Sequence, residues 1–177
     1  GDFVTFESGH VRPMALSGDG NTLYAVNTPD NKVEVYDVSG TTPQLVERIR
    51  VGMEPVAVAL LNDSQLWVSN HLSDSVSIVD VSVSPAAIKQ TLLVGDEPRD
   101  IVFGGANDQF AFITVAHRGQ NVPFDPKMQT AGVGRADVWV FDTGNTGNTL
   151  TGEPRTILNM FGDTTRALAR SPAGETI

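Results

Sequence analysis

Residues 66–80 of this chain read Leu66-Trp67-Val68-Ser69-Asn70-His71-Leu72-Ser73-Asp74-Ser75-Val76-Ser77-Ile78-Val79-Asp80. Two runs rich in β-branched and aromatic residues, 66–70 and 76–80, flank a short polar segment of the kind that forms tight turns. This arrangement is typical of a β-hairpin. The stretch therefore predicts two antiparallel strands, the second of which ends on Asp80.

The same pattern occurs twice more along the chain. Leu23-Tyr24-Ala25-Val26-Asn27 is followed by Val33-Glu34-Val35-Tyr36-Asp37, and Phe110-Ala111-Phe112-Ile113-Thr114 is followed by Val138-Trp139-Val140-Phe141-Asp142. Each second run ends on an aspartate, whose carboxylate can accept backbone N–H bonds from the turn that follows. The hairpin is therefore the core of a repeating unit.

Every unit also has an opening and a closing strand. The openings start at Gly9, Gly52 and Gly95, and each reaches a proline and then an apolar strand; a fourth opening starts at Gly162. Looser strands close the units at 44–51, 88–94 and 155–161. Four short antiparallel strands in a repeat of about 40–45 residues are the signature of a β-propeller blade.

We therefore predict an all-β chain that forms a partial propeller over 1–177. Its blades are 9–51, 52–94 and 95–161, and the next blade starts at 162–177. A propeller closes with about four to eight blades, so we expect an incomplete ring, a fragment of a longer protein. Exposed blade edges and faces would then favour self-association.

The hairpins resemble the YVTN-type repeat, in which a Tyr-Val-Thr-Asn strand precedes a Val-x-Val-Ile-Asp strand. The resemblance runs from Gly9 to Ile177 and implies a bacterial or archaeal propeller, exported to the periplasm or the cell surface. The third repeat is similar to large bacterial proteins in which a propeller precedes a c-type cytochrome region, although this chain has no haem motif. The resemblance thus also implies an alternative, the propeller part of a redox protein with haem or copper in an adjacent domain.

Composition limits the partners and cofactors. The formal charge of −9 disfavours nucleic acid and anionic membranes. The absence of cysteine removes disulfides, Cys-ligated zinc, iron–sulfur clusters and covalent c-type haem from this segment. The longest apolar runs, such as 55–61, are too short to span a membrane. We expect a protein, or a neighbouring domain of the same polypeptide, as the partner.

Propeller topology predicts which loops share a face. Connections between the second and third strands lie on the same side as the segments that lead into each first strand. The third unit carries an insertion of about twenty residues, 118–136, on that side, and long insertions are often functional. We predict that this face binds a ligand or partner through Arg12, Arg99, Arg118, Asp125, Lys127, Arg135 and Arg166.

The three histidines, His10, His71 and His117, lie on the same predicted face. Imidazole is a good ligand for copper and zinc, so they form a hypothetical metal site; the other interpretation is three unrelated surface residues. The arginines either bind a carboxylate or phosphate or pair with aspartates of adjacent blades.

No catalytic constellation is evident. There is no Ser/His/Asp spacing and no obvious pair of acids. A lactonase-like activity would require acidic channel ligands for a hard cation, and Asp100 is the one acid found in the innermost strands. We therefore favour a non-enzymatic binding and scaffold module.

Overall fold

A computed structural model describes residues 9–118, 120–123, 135–162 and 165–177 of the chain. These residues form three four-stranded antiparallel sheets and a single 3-10 turn at Ala106–Asp108, with no α-helix among them. The prediction of an all-β, incomplete propeller is confirmed. None of the described residues belongs to a helix long and apolar enough to cross a membrane.

Each sheet is built from four strands that are consecutive in the chain. Sheet 1 consists of β1 (Met14–Leu16), β2 (Thr22–Asn27), β3 (Lys32–Asp37) and β4 (Gln44–Arg50). Sheet 2 consists of β5 (Pro55–Leu61), β6 (Gln65–Asn70), β7 (Ser75–Asp80) and β8 (Ala87–Leu93). Sheet 3 consists of β9 (Ile101–Gly104), β10 (Phe110–Ala116), β11 (Arg135–Asp142) and β12 (Thr156–Phe161).

The aspartates that end the third strands stabilise the turns after them. Asp37 accepts the N–H of Ser39 at 2.9 Å, and Asp80 accepts that of Ser82 at 2.9 Å. These bonds, with those from the serine hydroxyls, lower the pKa of both carboxyls. Asp142 differs, because it binds the guanidinium of Arg155 at 3.2 Å. The local turn chemistry is therefore present in two of the three units.

Two apolar layers hold the sheets face to face. The layer between sheets 1 and 2 includes Tyr24, Val33, Leu66 and Val68. The layer between sheets 2 and 3, which we call the 2–3 seam, is larger and contains both tryptophans, and Trp67 meets Phe103 edge-on at 5.6 Å. This arrangement follows from strand alternation, because sheet 2 buries side chains on both of its faces.

The first strands β1, β5 and β9 are neighbours at the inner side of the sheets. Residues 165–177 form no strand and lie beside β9, where Gly105 donates its N–H to the Gly174 carbonyl at 2.8 Å. β1, β5, β9 and residues 168–170 line an open groove of about 530 Å³. Met14 and Leu16 on β1 are 57% and 54% exposed there. Self-association through exposed blade surfaces stays a prediction.

Candidate functional site

The connections that precede the first strands and those that join the second and third strands form what we call the loop face. In the described residues it comprises 9–13, 28–31, 51–54, 71–74, 94–100, 117–118 and 120–123. Hydrogen bonds between adjacent sheets recur there. Asn31 accepts the N–H of Glu54 through Oδ1 at 2.8 Å, and Asp74 accepts that of Glu97 at 3.2 Å. Both glutamates have positive φ, 51° and 52°, so each turn side chain supports a left-handed residue of the next sheet.

His10 belongs to a hydrogen-bond chain between sheets 1 and 2. Its Nε2 lies 2.7 Å from the Thr28 hydroxyl, which donates in turn to the Pro55 carbonyl at 2.7 Å. The hydroxyl proton is directed at Pro55, so the imidazole nitrogen is the donor to Thr28. His10 thus has a structural partner of its own.

His71 holds the corresponding position between sheets 2 and 3. Its ring faces the Pro98 carbonyl, which corresponds to Pro55 beside Thr28. The other ring nitrogen, Nδ1, is buried without a partner. Burial lowers the pKa of His71, and the charge of Arg99 lowers it further. The imidazole is therefore held neutral in the wall of the 2–3 seam.

His117 is bound within sheet 3. Its Nδ1 lies 2.6 Å from the carboxylate of Asp137, whose other oxygen accepts the amide of Asn159 at 2.8 Å. Asp137 is fully buried, so the imidazole N–H and the amide supply the hydrogen bonds that a buried carboxylate requires. The three side chains connect β10, β11 and β12 at the base of the insertion.

The histidines therefore occupy three separate hydrogen-bond systems. No group of three His, Cys, Asp or Glu side chains suited to a metal ion occurs in the part of the chain that the structure describes. A metal site at His10, His71 and His117 stays a prediction, and these contacts do not support it.

Arg12 reaches from sheet 1 to sheet 3 across the inner strands. It binds the fully buried Asp100 through two bonds, Nε to Oδ1 at 2.9 Å and Nη2 to Oδ2 at 3.1 Å. The backbone N–H groups of Ile101 and Leu168 reach the same carboxylate at 2.9 and 2.8 Å. Asp100 is thus saturated with donors, and Arg12 pairs with it rather than with an aspartate at the end of a third strand.

Arg118, the first residue of the insertion, anchors it to the loop face. Its guanidinium binds Asp96 through Nε and Glu97 through Nη2, and its carbonyl accepts the N–H of Asp96 at 3.0 Å. Three residues on, Asn121 donates to the Val94 carbonyl at 2.9 Å, and Val122 packs against the 2–3 seam. The start of the insertion is therefore tied to both walls of that seam.

The remaining predicted residues have different surroundings. Arg99 pairs with Glu97 at 3.0 Å, and the Arg166 guanidinium lies against Gly9. Asp125, Lys127 and the side chain of Arg135 lie outside the described residues.

Sequence reasoning missed the acids that surround these arginines. Burial raises the pKa of Asp74, and the neighbouring Asp96 carboxylate raises it further. Asp96, Glu97 and the fully buried Asp137 are equally inconspicuous in the sequence. The one local signal is the recurrence of Asn31 and Asp74 at the same place in successive units.

Comparisons with known proteins concern the fold. Neither a protein-family model nor a curated protein matches the sequence. Three similar solved structures are a putative 6-phosphogluconolactonase from Bacteroides uniformis, the periplasmic gluconolactonase PpgL from Pseudomonas aeruginosa, and the Cps50 (Swd1) β-propeller domain from Myceliophteria thermophila.

The B. uniformis protein has 14% identity and a TM-score of 0.64, over 97% of this chain and 50% of that one. PpgL has 17% identity and a TM-score of 0.59, over 88% and 41%. Cps50 has 11% identity and a TM-score of 0.55, over 88% and 44%. The chain thus spans half or less of these structures, and the likeness shows the propeller fold alone.

Proposed function

We propose that this chain is a non-enzymatic binding and scaffold module, of the YVTN-repeat type, in an exported bacterial protein of the periplasm or cell surface. Its loop face binds a partner protein or a neighbouring domain, and the insertion 118–136 is the main contact. The observation that carries the proposal is the anchoring of the insertion by Arg118 and Asn121. The start of the insertion is thereby fixed at the loop face, and long insertions in compact folds are often functional.

The loop face also offers an apolar anchor with an acidic surround. Met53 and Leu72 are 49% and 60% exposed and adjacent, because the Leu72 N–H donates to the Met53 carbonyl at 3.2 Å. Glu54 and Asp74 flank them in sequence. Exposed apolar side chains inside a polar rim are a common form of protein-binding hot spot. The partner surface would then be apolar at its centre and basic at its edge.

Asp100 and two of the histidines are already hydrogen-bonded to neighbouring groups, which favours binding over catalysis. Asp100, the acid that a cation-dependent lactonase-like reaction would use, already accepts four N–H bonds. His10 and His117 are each engaged with a neighbouring side chain. The loop face therefore supports recognition by shape and charge.

Site-specific photocrosslinking in the full-length natural polypeptide tests the proposal. A benzoylphenylalanine at Leu72 probes the loop face, and one at Leu150, which is 93% exposed in the connection between the third and fourth strands of sheet 3, is the control. We expect a discrete adduct from position 72 only, either to a partner or within the polypeptide, and competition by unlabelled protein.

Replacement of residues 124–134 by a short Gly-Ser linker keeps Arg118 and Asn121 and should weaken binding of the purified, identified partner by at least tenfold. Equal crosslinking from both positions, or unchanged affinity without the insertion, would contradict the proposal.

A further inference from the structure

The 2–3 seam contains an unusual concentration of buried polar atoms without partners. Six such side-chain atoms occur in the described residues, and four belong to residues of this seam: Ser69 Oγ, His71 Nδ1, Arg99 Nε and Trp139 Nε1. Ser69, His71 and Trp139 are 0%, 7% and 3% exposed, and the side chain of Arg99 is 15% exposed. Buried polar groups are nearly always hydrogen-bonded, so a group of four requires an explanation.

Strand geometry places these atoms on the two facing walls. Trp67 contacts Phe103 across the seam, and side chains two residues apart on a strand share a face. Ser69 therefore faces the seam from β6, between the Trp67–Phe103 contact and the His71 ring, which lies beside Pro98.

The opposite wall is sheet 3. Ile113 pairs with Ile101 on one side and with Trp139 on the other, so these three residues form one row across the sheet. Arg99 donates its N–H to the carbonyl of Thr114, the residue after Ile113, at 3.0 Å, and so lies next to this row on the side of the loop face. The four unpartnered atoms thus occupy adjacent levels of the same seam.

Their chemistry is complementary to a small molecule that both donates and accepts. Arg99 Nε and Trp139 Nε1 carry N–H donors. The His71 ring faces the Pro98 carbonyl, which favours the tautomer with the proton on Nε2 and leaves the unpartnered Nδ1 as an acceptor. The Ser69 hydroxyl both donates and accepts. A cation would be repelled by the two N–H donors. An anion would be repelled by the His71 lone pair and by the buried carboxylate of Asp137. Water satisfies both kinds of group.

We propose that the 2–3 seam binds internal water molecules, which bridge Ser69 and His71 of sheet 2 to Arg99 and Trp139 of sheet 3. The start of the insertion closes this site from solvent, because Arg118 binds Asp96 and Glu97 and Asn121 binds the Val94 carbonyl. Water bound here links side chains of sheets 2 and 3 that form no direct hydrogen bond with one another. His71 and Arg99 also belong to the loop face, but water binding in the seam does not require a partner to be bound there.

The two tryptophans make the experiment self-controlled. Trp139 Nε1–H is unpartnered, whereas Trp67 Nε1–H donates to Gln65 Oε1 at 3.4 Å, and the chain contains no other tryptophan. Water NOE and ROE spectra of the ¹⁵N-labelled protein report both indole protons, and Trp139→Phe assigns them. We expect a cross-peak of long-lived water at Trp139, with the NOE and ROE of opposite sign, and a weaker one or none at Trp67.

Ser69→Ala removes one ligand of the proposed water and should reduce the Trp139 cross-peak by at least half. Ser77→Ala is the matched control, because Ser77 accepts the Asn70 amide at 2.9 Å and projects from the opposite face of sheet 2. Well-dispersed amide spectra of both variants establish that they fold. Absence of a water cross-peak at Trp139 in the unmodified protein, or an equal effect of the two serine variants, would overturn the proposal.

Discussion

Replacement of Arg12 by methionine should destabilise the chain more than loss of any exposed ion pair. Arg12 is 39% exposed at its side chain, whereas its partner Asp100 is 0% exposed. The substitution keeps most of the apolar stem but removes both bonds to the carboxylate and a third, at 3.2 Å, to the Leu168 carbonyl. Asp100 is then a buried charge held by two backbone N–H groups alone.

The expected magnitude follows from the burial of Asp100. Removing one partner of a buried pair costs about 3–5 kcal/mol. We take about 3 kcal/mol, because the two backbone donors remain. For a chain of this length, each kcal/mol lowers Tm by about 2–4 °C, which gives a decrease of about 6–12 °C.

The assay is urea unfolding followed by fluorescence and circular dichroism, whose coincidence checks two-state behaviour. The matched control is Arg48→Met, which removes an exposed arginine, 53% accessible, from Glu34 and should cost less than about 1 kcal/mol. Arg12→Met with Asp100→Leu should be more stable than Arg12→Met alone, because the uncompensated charge is gone. Equal effects of Arg12→Met and Arg48→Met would refute the reasoning.

Three further outcomes are expected. Burial lowers the pKa of His71. The contribution of the neutral imidazole to stability is therefore complete above the ordinary histidine pKa of about 6.5, and it is lost as pH falls toward the folded-state pKa. His71→Gln should flatten the pH dependence of the unfolding free energy, measured by urea titrations from pH 7.5 to 5. Burial raises the pKa of Asp74, so the stability of the folded protein falls as pH rises through that pKa. Asp74→Asn removes the charge and retains an Oδ1 acceptor, as in Asn31. In thermal denaturation this variant should be more stable than wild type at pH 7.5 and no different at pH 3.5. Leu92→Ala should cost about 2–5 kcal/mol in urea unfolding, because Leu92 is fully buried in the 2–3 seam, and a cost below about 1 kcal/mol would show that the seam is loosely packed.

Much of the architecture was accessible from local patterns. The strand runs 23–27, 66–70 and 76–80 lie in β2, β6 and β7, because period-two alternation and turn chemistry depend on near neighbours. The aspartate bonds at Ser39 and Ser82 were predictable for the same reason, since donor and acceptor are two residues apart.

The hydrogen-bond partners of the charged side chains could not be predicted from local sequence patterns. Arg12 and Asp100 are 88 positions apart, and nothing near either residue signals the other. Asp137 accepts from a histidine 20 residues earlier because the 118–136 insertion returns the chain to the adjacent strand. Sequence reasoning grouped the three histidines by face, but the structure assigns each to a different hydrogen-bond system.

The sequence by itself thus determined the repeat, its four strands and the turns between them, because short-range sterics and hydrogen bonds specify those features. Only the tertiary structure decided that the Asp100 carboxylate is saturated with hydrogen-bond donors and that Arg118 anchors the insertion. It also decided that polar atoms of Ser69 and Trp139 share the 2–3 seam. Those facts depend on how whole sheets stack and in which register. Stacking is governed by the summed burial of apolar faces, which does not specify, residue by residue, which polar side chains will meet.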